Sequence, residues 1–347
     1  MSRAAQILAM DGRLGPFDAA ALWRNGALED LRLARRGSGD GGPQPGEIYA
    51  ARVARLLPDQ GAAFLDLGGA TAFLPRADGL GSGDALTVEI LRPAMGRKAA
   101  QASDKPTFAE RYLAHTPSAP GVNVSRKIAD PERRAALAAT LAPFADRGGW
   151  VIRTAAAEVD PAALVAEAER LSARAEAMAS APLEPPRRLG EAPDLAAIAL
   201  RLWGVAPTDL READPTDARM EADALADALD RLCAPTVDLP GGGRLTLGAL
   251  EALVAIDVDS ADGARAAANR EAAREIPRQL RLRGLGGMVL VDFAGVVAGP
   301  ERERLAKALG AAAGGDPLRI AGWGPLGLLE LTRRQDRAPL SQFWRPS

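Results

Sequence analysis

The hydrophobic and polar positions change their period twice between Leu253 and Phe293. Two apolar runs, LVAIDVDS and LGGMVLVDF, are short enough for single strands, and each carries an aspartate near its end, Asp257 and Asp292. The segment between them, NREAAREIPRQLRLRGLGG, repeats apolar positions at helical spacing. The block therefore predicts a strand, a crossover helix and a second strand, with Pro277 kinking or restarting the helix.

A second pattern, between residues 47 and 103, is strongly β. The runs EIYAARVARLL, GAAFLDLGG, ATAFLP and ALTVEILRPA are separated by turn residues at short intervals. Several short strands in so little chain predict a small barrel of the OB type.

The remaining segments predict mixed structure. At the N-terminus AQILAM predicts a strand and Phe17–Asn25 a helix, before the Gly/Pro-rich break GSGDGGPQPG. Between residues 104 and 185, helices at Pro131–Leu141 and Pro161–Met178 flank the strand WVIRTA and indicate a compact α/β unit. The stretch PLEPPRRLGEAP at 182–193 has the composition of a linker, and 194–237 is predicted to be mostly helical.

Composition excludes several kinds of chemistry. The chain has one histidine, His115, and one cysteine, Cys233, so it cannot supply the four ligands of a structural zinc site. No G-x-S-x-G motif accompanies His115, which disfavours a Ser-His-Asp arrangement. A net charge of −2 neither indicates nor excludes nucleic acid. Chemistry must then depend on carboxylates, arginines and a hard cation.

The two aspartates are the best candidates for that cation. They are 35 residues apart, which suits parallel neighbouring strands whose C-terminal ends share one edge of a sheet, where ligands bind in open α/β sheets. Mg²⁺ takes one or two carboxylates and completes its octahedron with water and phosphate oxygens. Asp259 points to the same face as Asp257. On spacing alone the alternative stays open that Asp257 caps a turn and Asp292 is a strand-end hydrogen bonder.

Arginines follow the crossover helix at spacings of three and four residues. Such a stripe beside a dication suits a polyphosphate backbone, although an ordinary solvated face would give the same spacing. The stripe comprises Arg270, Arg274, Arg278, Arg281 and Arg283, of which Arg281 and Arg283 are the predicted contacts with such a backbone.

The blocks around both aspartates resemble the ribonuclease E/G family. The resemblance rests on LEALVAIDVDS, NREAAREIPRQLRLRGLGGMVLVDF and GLLELTRR, and upstream on VDLPGGGRLTL, EIYAARVARLLPDQGAAFLDLGG, ERYL, GVNVSRKI and VIRTA, all in the family's order. It implies an endoribonuclease that cuts single-stranded RNA with Mg²⁺, or with Mn²⁺ as a substitute, leaving a 5′-phosphate and a 3′-hydroxyl. The residues matching the family's metal ligands are Asp257 and Asp292, with Asp259 as a further catalytic candidate.

The resemblance also implies RNA contacts and a multidomain α+β architecture. Phe64, Phe73 and Lys98 match RNA-binding positions of the family's OB-type domain, and Arg153 and Thr154 match its 5′-monophosphate sensor. The implied domains are an RNase H-like module (1–46 and 186–237), an inserted OB-fold domain (47–103), a 5′-sensor domain (104–185) and a DNase I-like catalytic domain (238–347).

Three departures from the family pattern bear on activity. Asp259 stands where the family usually has asparagine, the loop after Asp257 is shorter, and Glu110 precedes Arg111 and Tyr112 where glycine is common. The alternative hypothesis is therefore a catalytically impaired RNA-binding protein of the same fold. A metal-dependent nuclease or phosphatase acting on DNA is a third, which the OB and sensor matches disfavour.

The sequence and the family resemblance also lead to expectations about cellular location, substrates and oligomeric state. We expect a cytoplasmic protein that acts on mRNA or on rRNA and tRNA precursors, with no DNA substrate and no membrane partner. The zinc-link motif CPxCxGxG, a small oligomerisation domain and a scaffold tail are not found in the sequence, so no zinc is expected and only a homodimer without a zinc-link is left open.

Overall fold

A computed structural model describes most of the chain. It covers residues 3–8, 17–24, 26–35, 42–94, 98–193, 197, 202–203, 210–212, 218–250, 252–260, 264–335 and 337–346. These residues form two compact units, each described by itself. The described residues within 1–9, 16–25 and 32–213 form the first unit, and those within 26–31 and 214–347 form the second.

Strands outnumber α-helices among the described residues. The strands are β1 (Arg3–Leu8), β2 (Phe17–Arg24), β3 (Ala27–Arg35), β4 (Ile48–Leu57), β5 (Ala62–Asp66), β6 (Thr71–Pro75), β7 (Ala85–Arg92), β8 (Ala100–Ser103), β9 (Phe108–Ala109), β10 (Leu113–Thr116), β11 (Val122–Val124), β12 (Gly149–Ile152), β13 (Arg187–Gly190), β14 (Leu210–Glu212), β15 (Thr236–Asp238), β16 (Arg244–Ala249), β17 (Leu253–Asp259), β18 (Gly287–Asp292), β19 (Leu318–Trp323) and β20 (Leu329–Arg333). The α-helices are α1 (Pro131–Leu141), α2 (Pro161–Ala179), α3 (Ala218–Cys233), α4 (Arg265–Leu282) and α5 (Gly299–Ala313).

The predicted helix at Phe17–Asn25 is wrong, because Phe17–Arg24 is strand β2. It pairs antiparallel with β1 in a sheet of order β14-β1-β2-β3. Ala19, Ala20 and Ala21 are fully buried. An alanine-rich run has strong helix propensity, but hydrogen bonding to strands on both sides decides the conformation here.

The predicted barrel is confirmed as a closed, OB-like barrel of five strands. Strands β4 to β8 hydrogen-bond in the order β4-β5-β6-β8-β7, and β7 pairs back onto β4. Alternate residues fill the interior, among them Val53, Leu65, Leu74 and Ile90. The segment expected to be a linker contributes β13, which pairs antiparallel with β4.

The α/β unit predicted downstream of the barrel is also present. Strands β9 to β12 form a sheet of order β11-β12-β10-β9, and α1 and α2 pack with it around fully buried Trp150. His115 stacks on Trp150 with ring centroids 4.0 Å apart and is 1% exposed. Burial lowers the pKa of His115, so this histidine belongs to the core.

The second unit is built on a six-stranded sheet of order β15-β16-β17-β18-β20-β19. Strands β17 and β18 are parallel and α4 connects them, as predicted. The core unites Val254, Ile256 and Val291 of the sheet with Ile276 and Leu280 of α4 and with apolar residues of α5. The two helices therefore cover one face of the sheet.

Helix α4 continues unbroken through Pro277, so the helix does not restart there, and the kink that was expected as the other possibility stays a prediction. A proline inside a helix costs about 3 kcal/mol because it removes one hydrogen bond and crowds the preceding turn. Here Pro277 is buried beside Ile276, and packing against the sheet offsets that cost.

Two observations remain, one on residues 194–237 and one on the helices as a group. Within 194–237, α3 confirms a helical part, and most of residues 194–217 lie outside the described residues. Among the helices that the structure describes, none has the length and apolar character needed to cross a bilayer.

Candidate functional site

Asp257 and Asp292 lie side by side on adjacent strands. They are partners in the parallel register of β17 and β18, and Asp292 is the last residue of its strand. Because side chains alternate along a strand, Ile256, Val258 and Val291 are buried in the core beneath the helices. Asp257 and Asp292 lie on the opposite, exposed face of the sheet. The predicted convergence of the two carboxylates is thus present in the structure.

Loss of hydration and neighbouring negative charges both affect the ionisation of Asp257. Partial loss of hydration on the sheet surface, followed by the negative charges of Asp259 and Asp292, raises the pKa of Asp257. The Val258 N–H hydrogen-bonds to the Asp257 carboxylate and acts in the opposite direction. A nearby cation would relieve this repulsion, because an opposite charge favours the ionised carboxylate.

Asp259 shares the exposed face, but it has a different neighbour. It pairs across the strands with Arg244 of β16, and Thr246 pairs with Asp257. Arg244 also forms an ion pair with Asp238, with Nε 2.9 Å from Oδ1. Arg244 was not among the residues predicted from the sequence. Its place at the start of the alternating strand residues of VDLPGGGRLTL could have indicated it.

The donor set suits a hard dication bound by two carboxylates. Among the described residues, no three His, Cys, Asp or Glu side chains are arranged as a metal site. A pair of carboxylates such as Asp257 and Asp292 is nevertheless the number of protein ligands that Mg²⁺ usually takes, because water and phosphate oxygens fill its other positions. The shortened loop after Asp257 includes residues 261–263, which lie outside the described residues.

A basic and aromatic surface crosses the outside of the barrel. Phe64 and Phe73 are cross-strand partners on β5 and β6, with ring centroids 5.7 Å apart at 65°. Arg55 is the register partner of Phe64, and its guanidinium lies 5.0 Å from the centre of that ring. Gln101 follows beside Phe73, and Lys98 is exposed. The rings lie on the outer surface because their strand neighbours fill the barrel.

The two sensor candidates lie where β12 ends. Arg153 is half-buried, and its Nη1 donates to the backbone carbonyl of Glu110 at 2.6 Å. Thr154 is exposed, with its hydroxyl 2.9 Å from the hydroxyl of Ser125. The Glu110 carboxylate forms an ion pair with Arg170 at 2.7 Å. The negative charge of Glu110 therefore has a cationic partner.

The structure places the arginines of α4 in two groups. Arg270 and Arg274 are exposed. Arg281 donates to the carbonyl of Glu29 at 2.9 Å and is 17% exposed at its side chain. Arg283 is buried and donates to Gln279 and to the carbonyl of Ala234. The guanidinium groups of Arg281 and Arg283 thus face protein partners, a placement that their helical spacing did not predict.

Comparisons with known proteins agree on one family. The model of the Ribonuclease E/G family matches residues 107–204 and 207–336. Ribonuclease G of Escherichia coli strain K12 is 27% identical over 380 residues, covering 90% of this chain and 76% of the relative. Ribonuclease G of Haemophilus influenzae is 27% identical over 92% of this chain and 78% of the relative. Ribonuclease E of Synechocystis is 26% identical over 94% of this chain and 56% of the relative.

The charge distribution predicts how the pKa of Asp257 responds to substitution. In the absence of divalent cations, Asp259→Asn is expected to lower that pKa, because it removes the larger of the two repulsive charges. Titration of selectively ¹³C-labelled aspartate carboxyls by NMR measures it. Asp146→Asn, which changes an exposed aspartate of the first unit, is the matched control and should leave the pKa of Asp257 unchanged.

The direction of the Asp257 pKa shift also determines how this residue affects stability as the pH changes. A raised folded-state pKa means that the folded protein retains this proton to higher pH than the unfolded chain, so the contribution of Asp257 to the free energy of unfolding falls as pH rises through that window. An unchanged Asp257 pKa in Asp259→Asn would contradict the assignment of the repulsion.

Proposed function

This chain belongs to the ribonuclease E/G family, and from that premise we propose that it hydrolyses phosphodiester bonds in single-stranded RNA with Mg²⁺ held by Asp257 and Asp292. Endoribonuclease action on RNA is what the family supports. The observation that carries the finer proposal is the in-register pair of carboxylates on an exposed sheet face. A protein that only binds RNA gains nothing from two adjacent negative charges.

Each residue of the site has a distinct role in this proposal. Asp257 and Asp292 hold the cation, and their strand register sets the separation of the two carboxylates. When bound, Mg²⁺ supplies charge neutralisation for the phosphodiester and activation of the attacking water. Asp259, the register partner of Arg244 on β16, lies outside the ligand pair, and its negative charge adds to the repulsion on Asp257.

The barrel surface is proposed to bind the RNA strand. Phe64 and Phe73 offer ring faces and edges on the outside of the barrel, with Arg55 beside them and Lys98 exposed. Base stacking on aromatic side chains tolerates any sequence and is worth about 1–3 kcal/mol per base. Arginine next to the rings adds attraction for phosphates without sequence preference.

Arg153 and Thr154 are proposed to bind a terminal 5′-monophosphate. A guanidinium and a hydroxyl on consecutive residues supply charge-assisted hydrogen bonds to phosphate oxygens. The pairing of Glu110 with Arg170 supports this role, because it reduces the opposing charge beside the pocket. The proposed setting is the cytoplasm, where precursors and messengers are the available single-stranded RNAs.

The alternative, a catalytically impaired RNA-binding protein, is favoured by the third carboxylate at Asp259. One assay separates it from the enzyme. Asp292→Asn is expected to lower Mg²⁺-dependent cleavage of a 5′-monophosphorylated single-stranded RNA more than about a hundredfold, since even residues outside the ligand sphere affect metal sites by about 10–100-fold. Asp146→Asn, which changes an exposed aspartate of the first unit, is the matched control. EDTA should abolish cutting by the unsubstituted protein and by this control.

Comparing several substrates in this assay separates an endoribonuclease from a protein that only binds RNA. Single-stranded DNA of the same sequence should remain uncut. RNA binding without Mg²⁺-dependent cutting, across several unrelated RNAs, would overturn the enzyme proposal in favour of the binding protein.

The barrel surface predicts a loss of affinity without a loss of fold. Phe64→Ala or Phe73→Ala is expected to weaken binding of a short single-stranded RNA about tenfold, equivalent to about 1.4 kcal/mol for one stacked base. Fluorescence anisotropy of a labelled RNA measures the Kd. Phe343→Ala removes a ring that is 45% exposed outside the barrel and serves as the control. Equal Kd values for all three variants and the unsubstituted protein would contradict the proposal that Phe64 and Phe73 bind RNA.

The sensor predicts a dependence on the 5′ end. The ratio of kcat/KM for 5′-monophosphorylated to 5′-hydroxyl RNA should fall about tenfold in Arg153→Gln, because a charge-assisted hydrogen bond is worth about 1.5–3 kcal/mol. Arg147→Gln, which removes a guanidinium stacked on Phe144, should keep the ratio of the unsubstituted protein. If this ratio is near one in the unsubstituted protein, Arg153 and Thr154 do not recognise the 5′-monophosphate.

A further inference from the structure

Asn269 is a buried amide on the second turn of helix α4. It is 4% exposed, and a buried amide without partners costs about 1–3 kcal/mol. Both of its polar atoms are satisfied by a single residue: Nδ2 donates to the carbonyl of Ala294 at 3.2 Å, and Oδ1 accepts the N–H of Ala294 at 2.9 Å. The side chain thus pairs with backbone in the way that a neighbouring strand would.

The position of Ala294 gives this contact its significance. Strand β18 ends at Asp292, and its pairing with β20 ends one residue earlier, at Val291 and Leu329. The chain then leaves the sheet within two residues of a proposed metal ligand. Asn269 provides the backbone hydrogen bonds for Ala294 that the sheet no longer supplies.

The rest of this turn is fixed against the same unit. Phe293 is buried and lies 5.7 Å from the ring of Trp323. Gly295 adopts φ +73°, and a Cβ there would lie 3.0 Å from the Cδ of Arg265, on the first turn of α4. Arg302 donates to the carbonyl of Val297 at 3.1 Å. The chain after Asp292 is therefore held closely against the start of α4.

We infer that Asn269 is a positioning residue for the metal site, which holds the chain after Asp292 so that its carboxylate stays beside that of Asp257. The same helix that joins the two aspartate strands covalently also clamps the exit of the second strand. This inference rests on the proposed function. Partners of this kind, outside the ligand sphere, change metal affinity by about 10–100-fold when they are removed.

The test measures Mg²⁺ affinity without requiring turnover. Asn269→Leu, which has a similar volume and neither polar atom, is expected to raise the Mg²⁺ concentration at half-maximal thermal stabilisation about tenfold. The Mg²⁺ midpoint for RNA cleavage should rise in parallel, while KM for RNA stays unchanged at saturating Mg²⁺.

Gln279 supplies a matched control. It is a second amide on α4 with the same 4% exposure, and it bonds Glu275 and Arg283 rather than the turn after Asp292. Gln279→Leu should lower the melting temperature but keep the Mg²⁺ midpoint. A merely structural role of Asn269 would give this same result.

A second variant covers failure of Asn269→Leu to fold. When its carboxyl is ionised, Asn269→Asp keeps the shape and the acceptor for the Ala294 N–H but loses the donor to the Ala294 carbonyl, so the Mg²⁺ midpoint is measured above the pH at which this carboxyl titrates. The added negative charge would, by itself, strengthen cation binding, so a raised Mg²⁺ midpoint would be due to the loss of positioning.

The outcomes separate the inference from its premise. A Mg²⁺ midpoint within twofold of the unsubstituted protein, in Asn269→Asp or in a folded Asn269→Leu, would overturn the role of Asn269 and leave the proposed function intact. If the unsubstituted protein shows neither Mg²⁺ stabilisation nor Mg²⁺-dependent cleavage, the proposed metal site itself fails, and the inference fails with it.

Discussion

The parallel register of β17 and β18 is the constraint on which the candidate site depends. It makes Asp257 and Asp292 partners on adjacent strands, so that two like charges lie side by side. Because side chains alternate in a strand, a slip of one residue would carry either aspartate to the helix-covered face. The buried aliphatics on that face, among them Ile256 and Val291, oppose such a slip because they fill the core under α4 and α5.

The same arrangement explains why the carboxylates are exposed rather than buried. Helices α4 and α5 cover one face of the six-stranded sheet, and the aspartates occupy the other. Partial loss of hydration, followed by the negative charges of Asp259 and Asp292, raises the pKa of Asp257, and a bound dication would favour the ionised carboxylate. Around the pair, Arg244 lies beside Asp259 and Asn269 holds the exit of β18. The exposed face therefore carries the candidate cation site, while α4 holds the exit of β18 from the opposite face.

Local periodicity predicted those parts of the fold in which one pattern dominates. The strand–helix–strand block and the short strands of the barrel followed from alternation and helical spacing. The placement of Phe64 and Phe73 outside the barrel did not, because phenylalanine in a strand suits the core equally well, and only the family resemblance favoured an exposed position. Phe17–Arg24 could not be predicted in this way, because its alanines suit either conformation and the pairing partner β1 decides. The partners of Arg281 and Arg283 are equally invisible in the helix, since Glu29 and Ala234 are remote in sequence.

Direct measurement of metal binding tests the central claim most sharply. Mn²⁺, detected by electron paramagnetic resonance, should bind at one site per chain and be displaced by Mg²⁺. The account predicts that Asp257→Asn and Asp292→Asn each abolish this site, while both variants keep the melting temperature of the metal-free protein or exceed it, because repulsion is relieved. Unchanged Mn²⁺ binding in both variants would contradict the assignment of this pair as the cation site.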